Sequence, residues 1–190
     1  MPERYEYPPT EFDPKPRRTS AGRGQWFYFP LLLSLSAFVA LADHVSKKFI
    51  SHRLPVGRSH TIIPGIFNIT HVVNTGAAFS FLADSGSPDT VRSGLILFSV
   101  AAVLIVGVMM LRSCRCLNLT CIALALILGG AVGNLYDRIV YHYVIDFLGF
   151  HIGPYHWPDF NFADSAIVIG ACLLMIEILR PQPEDSKASA

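Results

Sequence analysis

Charge is scarce in this chain of 190 residues: Asp, Glu, Lys and Arg together make 15%, against roughly 25% in an ordinary soluble domain. The net charge of +1 supplies no global field to draw the chain onto a polyanion, so nucleic acid is not an expected partner. Cysteine is equally sparse. Cys114, Cys116, Cys121 and Cys172 lie in or beside apolar stretches, with no Cys-x-x-Cys pair and no histidine at zinc-ligand spacing. They are expected to be small buried or cytosol-facing thiols, and no metal site is expected. Gly-x-Ser-x-Gly, Ser-x-x-Lys, His-Glu-x-x-His and a phosphate loop are all missing, which excludes the commonest serine, zinc and nucleotide chemistries.

What the chain has is apolar length. Apolar residues make 52% and the mean hydropathy is +0.42. Trp26–Ala42, Gly94–Leu111 and Leu117–Tyr136 carry no charge, and Phe162–Leu179 is interrupted only by Asp164 and Glu177. A helix needs about 20 mostly apolar residues to cross a bilayer, and in lipid the backbone must satisfy its own hydrogen bonds. The expected fold is therefore an all-α polytopic membrane protein with four transmembrane helices, over about 26–47, 92–111, 117–138 and 161–180. Between them lie two outer segments, about 50–91 and 139–160. Ile62–Phe81, rich in β-branched and aromatic residues around Pro64 and Gly65, predicts short strands, with Tyr141–Trp157 as a pairing partner at the membrane surface.

Nine of the fifteen Lys and Arg residues fall in the N-terminal tail, the loop between the second and third spans, and the C-terminal tail. The positive-inside rule puts those three segments, and so both termini, in the cytoplasm. Residues 1–25, rich in Pro, Glu and Arg, predict a disordered tail, and 181–190 read likewise. Arg17, Arg18 and Arg23 before an apolar run ending Ala40-Leu41-Ala42 also match a cleavable signal peptide, a competing reading of the first span.

That topology gathers polar residues in one outer layer. Span one ends at Asp43 and Lys47, span three at Asn134, Asp137 and Arg138, and span four begins at Asn161 and Asp164; Asp146 lies in the outer segment before it. Ionisable groups in a span are expensive and mark function by default. Asp43 and Lys47 stand one helical turn apart, as do Asn134 and Arg138, and Asn161 is spaced to bond the Asp164 carboxylate. Arg138 is the expected partner of Asp137, although each ion pair also suits a plain interfacial anchor. Gly129, Gly130 and Gly133 allow close helix approach. Two carboxylates on a partly desolvated surface suffice to share a proton and hydrolyse a peptide with water. The same groups also suit a small proton-coupled transporter, with Asp43, Asp137 and Asp164 as a relay.

Five ordered blocks then bear a resemblance: Asp43-His-Val-Ser-Lys47, Asn74-Thr-Gly-Ala-Ala-Phe-Ser80, Gly129-Gly-Ala-Val-Gly-Asn-Leu-Tyr-Asp-Arg138, Val144-Ile-Asp-Phe147 and Phe160-Asn-Phe-Ala-Asp164. From about residue 28 to 180 the chain resembles the lipoprotein signal peptidases, or signal peptidase II. The resemblance implies an aspartic endopeptidase of the bacterial cytoplasmic membrane with its site at the outer face. It would remove the signal peptide from diacylglyceryl-modified prolipoproteins by cutting before the lipid-modified cysteine. It makes Asp146 and Asp164 the catalytic pair and assigns supporting or substrate-holding roles to Asp43, Lys47, Asn74, Gly76, Asn134, Asp137, Arg138 and Asn161. It further implies a retained first span, an outer β element from residues near 56–81 and 140–153, and no cofactor. The expected partners are prolipoprotein substrates and membrane lipid, and the expected state is a monomer.

Overall fold

A computed structural model describes residues 28–76, 88–114 and 117–180. The elements run α1 (Phe29–Arg53), β1 (Ser59–Ile63), β2 (Phe67–Asn74), α2 (Pro88–Ser113), α3 (Leu119–Val140), β3 (Val144–Ile152), β4 (Tyr155–His156) and α4 (Phe162–Leu179). All four helices are long and apolar enough to cross a membrane. Both predicted tails, the stretch from 77 to 87 and Cys116 lie outside the described residues.

Helix ends follow local chemistry. The first helix starts with Pro30 in its opening turn and stops at Leu54, ahead of Pro55, whose ring disfavours helical backbone in the residue before it. It therefore continues well past Lys47, and Lys48, Ser51 and His52 project beyond the apolar stretch on the same helix. Asn118 caps α3 by accepting from the Cys121 amide at 2.9 Å. Asn161 caps α4 in a reciprocal box with Asp164, so α4 begins at Phe162, where the apolar stretch does, and Asp164 sits in its first turn.

Polarity is reversed relative to a water-soluble fold. Leu31, Phe38, Leu41, Phe98, Leu104 and Ile178 are exposed on helix surfaces, whereas Asp43, Lys47, Asn134, Asp137, Asp146 and Asn161 are buried. The third helix is central, packed against each of the other three. It can be central because it is thin. A Cβ on Gly129 would lie 2.6 Å from the Ser36 carbonyl of α1, and one on Gly130 would collide with the Ala163 carbonyl of α4. Ser36 adds a hydrogen bond to the Ala125 carbonyl at 2.8 Å, tying α1 to α3.

At the bundle end remote from the polar layer, Leu32, Met110, Leu124, Ala125 and Leu128 pack around Cys114 and Cys121. Those two cysteines are joined by a disulfide, with Cα atoms 5.4 Å apart, which corrects the expectation of free thiols there. The short turn between α2 and α3 places them face to face, a juxtaposition that spacing alone does not reveal. Cys172 is free and exposed. Glu177, near the end of α4, has a buried Oε2 that lies 3.9 Å from Arg180 without a hydrogen bond.

The outer β element is one antiparallel sheet in the order β1-β2-β3-β4. Ile69 opposes Leu148 and Val72 opposes Asp146, so β2 carries one extra residue between them. This bulge sets the register that follows. With Val72 opposite Asp146, Asn74 is a diagonal neighbour of Asp146 on the same face.

Candidate active site

All ten residues singled out in the sequence meet in one hydrogen-bonded network where the helices adjoin the sheet. Lys47, on α1, is its hub. Its Nζ donates to Asp43 Oδ2 at 2.6 Å, Asp137 Oδ2 at 2.7 Å and Asn134 Oδ1 at 3.1 Å. The other Asp43 oxygen accepts the Ala163 amide at 2.9 Å, so a carboxylate from α1 satisfies one first-turn N–H of α4, where the helix dipole favours negative charge.

From the hub the network divides into two arms. Asn134 Nδ2 donates to Asp164 Oδ1 at 2.7 Å. Asn161 Nδ2 donates to Asp146 Oδ1 at 2.7 Å and reaches Asn134 Oδ1 at 3.4 Å. Asn74 Nδ2 donates to Asp146 Oδ2 at 2.9 Å, and Asn74 Oδ1 accepts the Gly76 amide at 2.9 Å. Gly76 has φ +87°, which favours glycine at this turn, and a Cβ there would also push aside the tip of the Leu95 side chain on α2. The two asparagines thus cross-link the carboxylates of β3 and α4, each spending its donors on a different aspartate.

One expected pairing is replaced, and a second, from Asn161 to the Asp164 carboxylate, is made by the Asn161 backbone N–H at 3.3 Å rather than by its side chain. Asp137 bonds Lys47 rather than Arg138: consecutive helical residues point about 100° apart, so neighbours in sequence do not face each other. Arg138 instead reaches α2, donating to Ser99 Oγ at 3.2 Å as well as to the Asn134 carbonyl at 3.4 Å. The Asn161 amide group goes to Asp146, while its oxygen caps the Asp164 backbone N–H at 3.0 Å.

Ser99 is the residue that sequence reasoning misses. It is the one hydroxyl in the charge-free stretch Gly94–Leu111, it is buried, and its own proton goes to the Leu95 carbonyl at 2.8 Å. Only a tertiary contact distinguishes it from the back-bonded serines common in helices. Asp159 is also missed; it accepts from Thr70 at 3.1 Å and ties the segment before α4 to β2.

Asp146 is 3% exposed. Burial pushes its carboxyl up from the ordinary 3.8 to about 6, with the nearby Asp164 charge adding to the rise and the Asn74 and Asn161 hydrogen bonds opposing it. Between those values the folded chain holds a proton that the unfolded chain has released. The resulting stabilisation is complete below the ordinary value and is lost as pH rises through about 6. It amounts to on the order of 3 kcal/mol, at 1.36 kcal/mol per unit. In detergent, the thermal midpoint of the wild type should decline across this window, and Asp146→Asn should flatten that part of the profile. Identical slopes in the two proteins would place the titration elsewhere.

Chemically, the layer offers two carboxylates in mutual electrostatic contact, each oriented by amide donors, beside a buried cation already occupied by two other carboxylates. Comparison with known proteins bears on the family of the chain. A profile of the signal peptidase (SPase) II family matches residues 35–180. The lipoprotein signal peptidase of Paraburkholderia phymatum is 45% identical over 148 residues, covering 78% of this chain and 87% of that protein. Its counterpart in Burkholderia mallei is 43% identical over the same coverage. A solved bacterial membrane enzyme, determined by the in meso method at 1.9 Å resolution, superposes with a TM-score of 0.74 at 27% identity, covering 85% of this chain and all of that one. These relatives give the proton-coupled transporter reading no support, and the carboxylates gathered at one end of the bundle trace no path across it.

Proposed function

We propose, for a chain that belongs to the signal peptidase II family and so removes signal peptides from prolipoproteins in a bacterial membrane, that hydrolysis is carried out by Asp146 and Asp164 as an aspartic pair. The observation that carries this is the cross-link by Asn134 and Asn161, which holds one oxygen of each carboxylate at 2.7 Å. Two like charges so placed favour a singly protonated pair. The ionised member takes a proton from water as its oxygen attacks the scissile carbonyl carbon, while the protonated member gives its proton to the carbonyl oxygen. As the tetrahedral diol collapses and the C–N bond breaks, the aspartate that took the water proton passes it to the departing amine and the other recovers a proton from a diol hydroxyl, which restores the singly protonated pair. Written this way, the reaction draws on no metal and no organic cofactor.

Asp43, Lys47 and Asp137 hold α1, α3 and α4 in register under the pair. Asn74 and Gly76 shape the turn beside Asp146, and Arg138 braces α2. The peptidase unit spans residues 26–180, acts as a monomer and has both termini in the cytoplasm, which places the pair at the outer face.

The substrate in this reading is cut just before a cysteine carrying a diacylglyceryl group. Purified protein in detergent should convert diacylglyceryl-modified prolipoprotein to the shorter band on a gel, and should cut the unmodified precursor at least about tenfold more slowly. That ratio corresponds to about 1.4 kcal/mol of binding from the lipid, within reach of two buried methylenes. Equal rates on both precursors would remove the lipid from the recognition.

A further inference from the structure

Two cavities share His44 and open along one face of α1. The first, about 440 Å³, is an apolar slot between Ala37, Ala40 and Leu41 of α1 and Val132, Gly133 and Tyr136 of α3. The second, about 240 Å³, continues from His44 past Lys48, Ser51 and His52 of α1, with Tyr141 and Tyr143 opposite. Neither is lined by Asp146 or Asp164. Residues 37, 40, 41, 44, 48 and 52 follow helical three- and four-residue steps, so the two cavities form one furrow about 22 Å long at 1.5 Å per residue. It runs from mostly apolar walls, inside a membrane-spanning segment, to a polar mouth just beyond that segment.

The mouth has one cation of its own. Asp137, the carboxylate among its lining residues, is turned to the Lys47 ammonium at 2.7 Å, which it shares with Asp43. Lys48 is different. Among the described residues it has no carboxylate within ion-pair distance. His52 stands one turn beyond, its Nδ1 held by the Lys48 carbonyl at 2.7 Å, and His71 is held likewise by the Leu54 carbonyl at 2.6 Å. Both rings have one nitrogen committed to a carbonyl.

We infer that this furrow is a binding site for an anionic glycerophospholipid, one acyl chain lying in the slot between α1 and α3 and the phosphate at Lys48 and His52. The matching features are a change from apolar to polar lining along a single helix face and an unpaired cation at the polar end. The inference rests on the four-span membrane fold and is independent of which aspartates do the chemistry. The bound molecule is a resident lipid of the surrounding leaflet, separate from the substrate's own lipid.

Native mass spectrometry of the full-length purified chain, released from detergent micelles doped with phosphatidylglycerol or phosphatidylcholine, tests it. One phosphatidylglycerol should be retained per chain, about fivefold more tightly than phosphatidylcholine, as one cation at a membrane surface provides. Lys48→Gln with His52→Gln should abolish that preference, and Ala40→Phe, which fills the slot, should weaken both lipids. Both variants should still cleave prolipoprotein in lipid-free detergent. Equal retention of the two lipids by wild type would overturn the inference, as would unchanged retention by the variants or displacement by millimolar glycerol phosphate, which has no chain for the slot. Displacement by lipidated prolipoprotein would also overturn it, assigning the furrow to substrate. A wild type that retains phosphatidylglycerol but cleaves nothing would sink the proposed function and leave this site standing.

Discussion

Asp164→Asn and Asp146→Asn are each expected to reduce prolipoprotein cleavage by on the order of 10⁴-fold, the scale seen when one member of a concerted catalytic group is removed. The reason is protonic rather than structural. A carboxamide at 164 still accepts the Asn134 donor now 2.7 Å from Oδ1, and forfeits only the long 3.3 Å contact from the Asn161 backbone N–H to Oδ2. What it cannot do is take a proton from water and return it. At 146 the replacement sets a second NH₂ against one of two amide donors, from Asn74 and Asn161. The cost is about one lost hydrogen bond, on the order of 1–3 kcal/mol. Initial rates at matched amounts of protein, with folding verified by thermal unfolding, separate the two effects. Near-normal cleavage by either variant would break the pair, and Asp137 would be the next aspartate to test.

The largest expected effect on stability belongs to Lys47. Its side chain is 4% exposed and its ammonium serves two carboxylates at 2.6 and 2.7 Å. Lys47→Ala leaves both carboxylates buried without a cation, and breaking a buried pair from one side costs about 3–5 kcal/mol. For a chain of this size that is a fall of roughly 10 °C in the midpoint of unfolding. The matched control is the triple change Asp43→Asn, Lys47→Met, Asp137→Asn, which removes all three charges together and should recover most of the loss. A midpoint for Lys47→Ala within about 2 °C of the wild type, measured in the same detergent, would show that the hub does not hold the helices.

What the sequence reveals of this site is its membership, and what it conceals is its wiring. Asp43 and Lys47 could be paired from spacing because both lie on one helix, where four residues is a fixed distance. Lys47 and Asp137 are 90 positions apart, and no local rule joins them. The nearest cation in sequence, Arg138, is the wrong partner for Asp137 because helical geometry turns it toward α2. Ser99 illustrates the limit most clearly: it becomes a site-bracing residue only once Arg138 arrives from another helix. The spans themselves were legible because membrane thickness imposes their length; the capped starts of α3 and α4 fell within two residues of expectation, while α1 runs more than a turn further, to the residues before Pro55. The disulfide between Cys114 and Cys121 was illegible for the same reason as the hub, since two helices must first turn back on one another.

The bond between Asp43 and Lys47 also bears on how such a chain enters a bilayer. Synthesis delivers α1 before α3 exists, so for some time the charged end of α1 has neither Asn134 nor Asp137 beside it. An aspartate and a lysine one turn apart neutralise each other within the newborn helix, which lowers the penalty of carrying either charge at membrane depth. When α3 follows, it presents Asp137 to a lysine already in place. The order of residues along the chain thus lets the most polar layer of the protein assemble in stages, with each newcomer meeting a partner inserted before it.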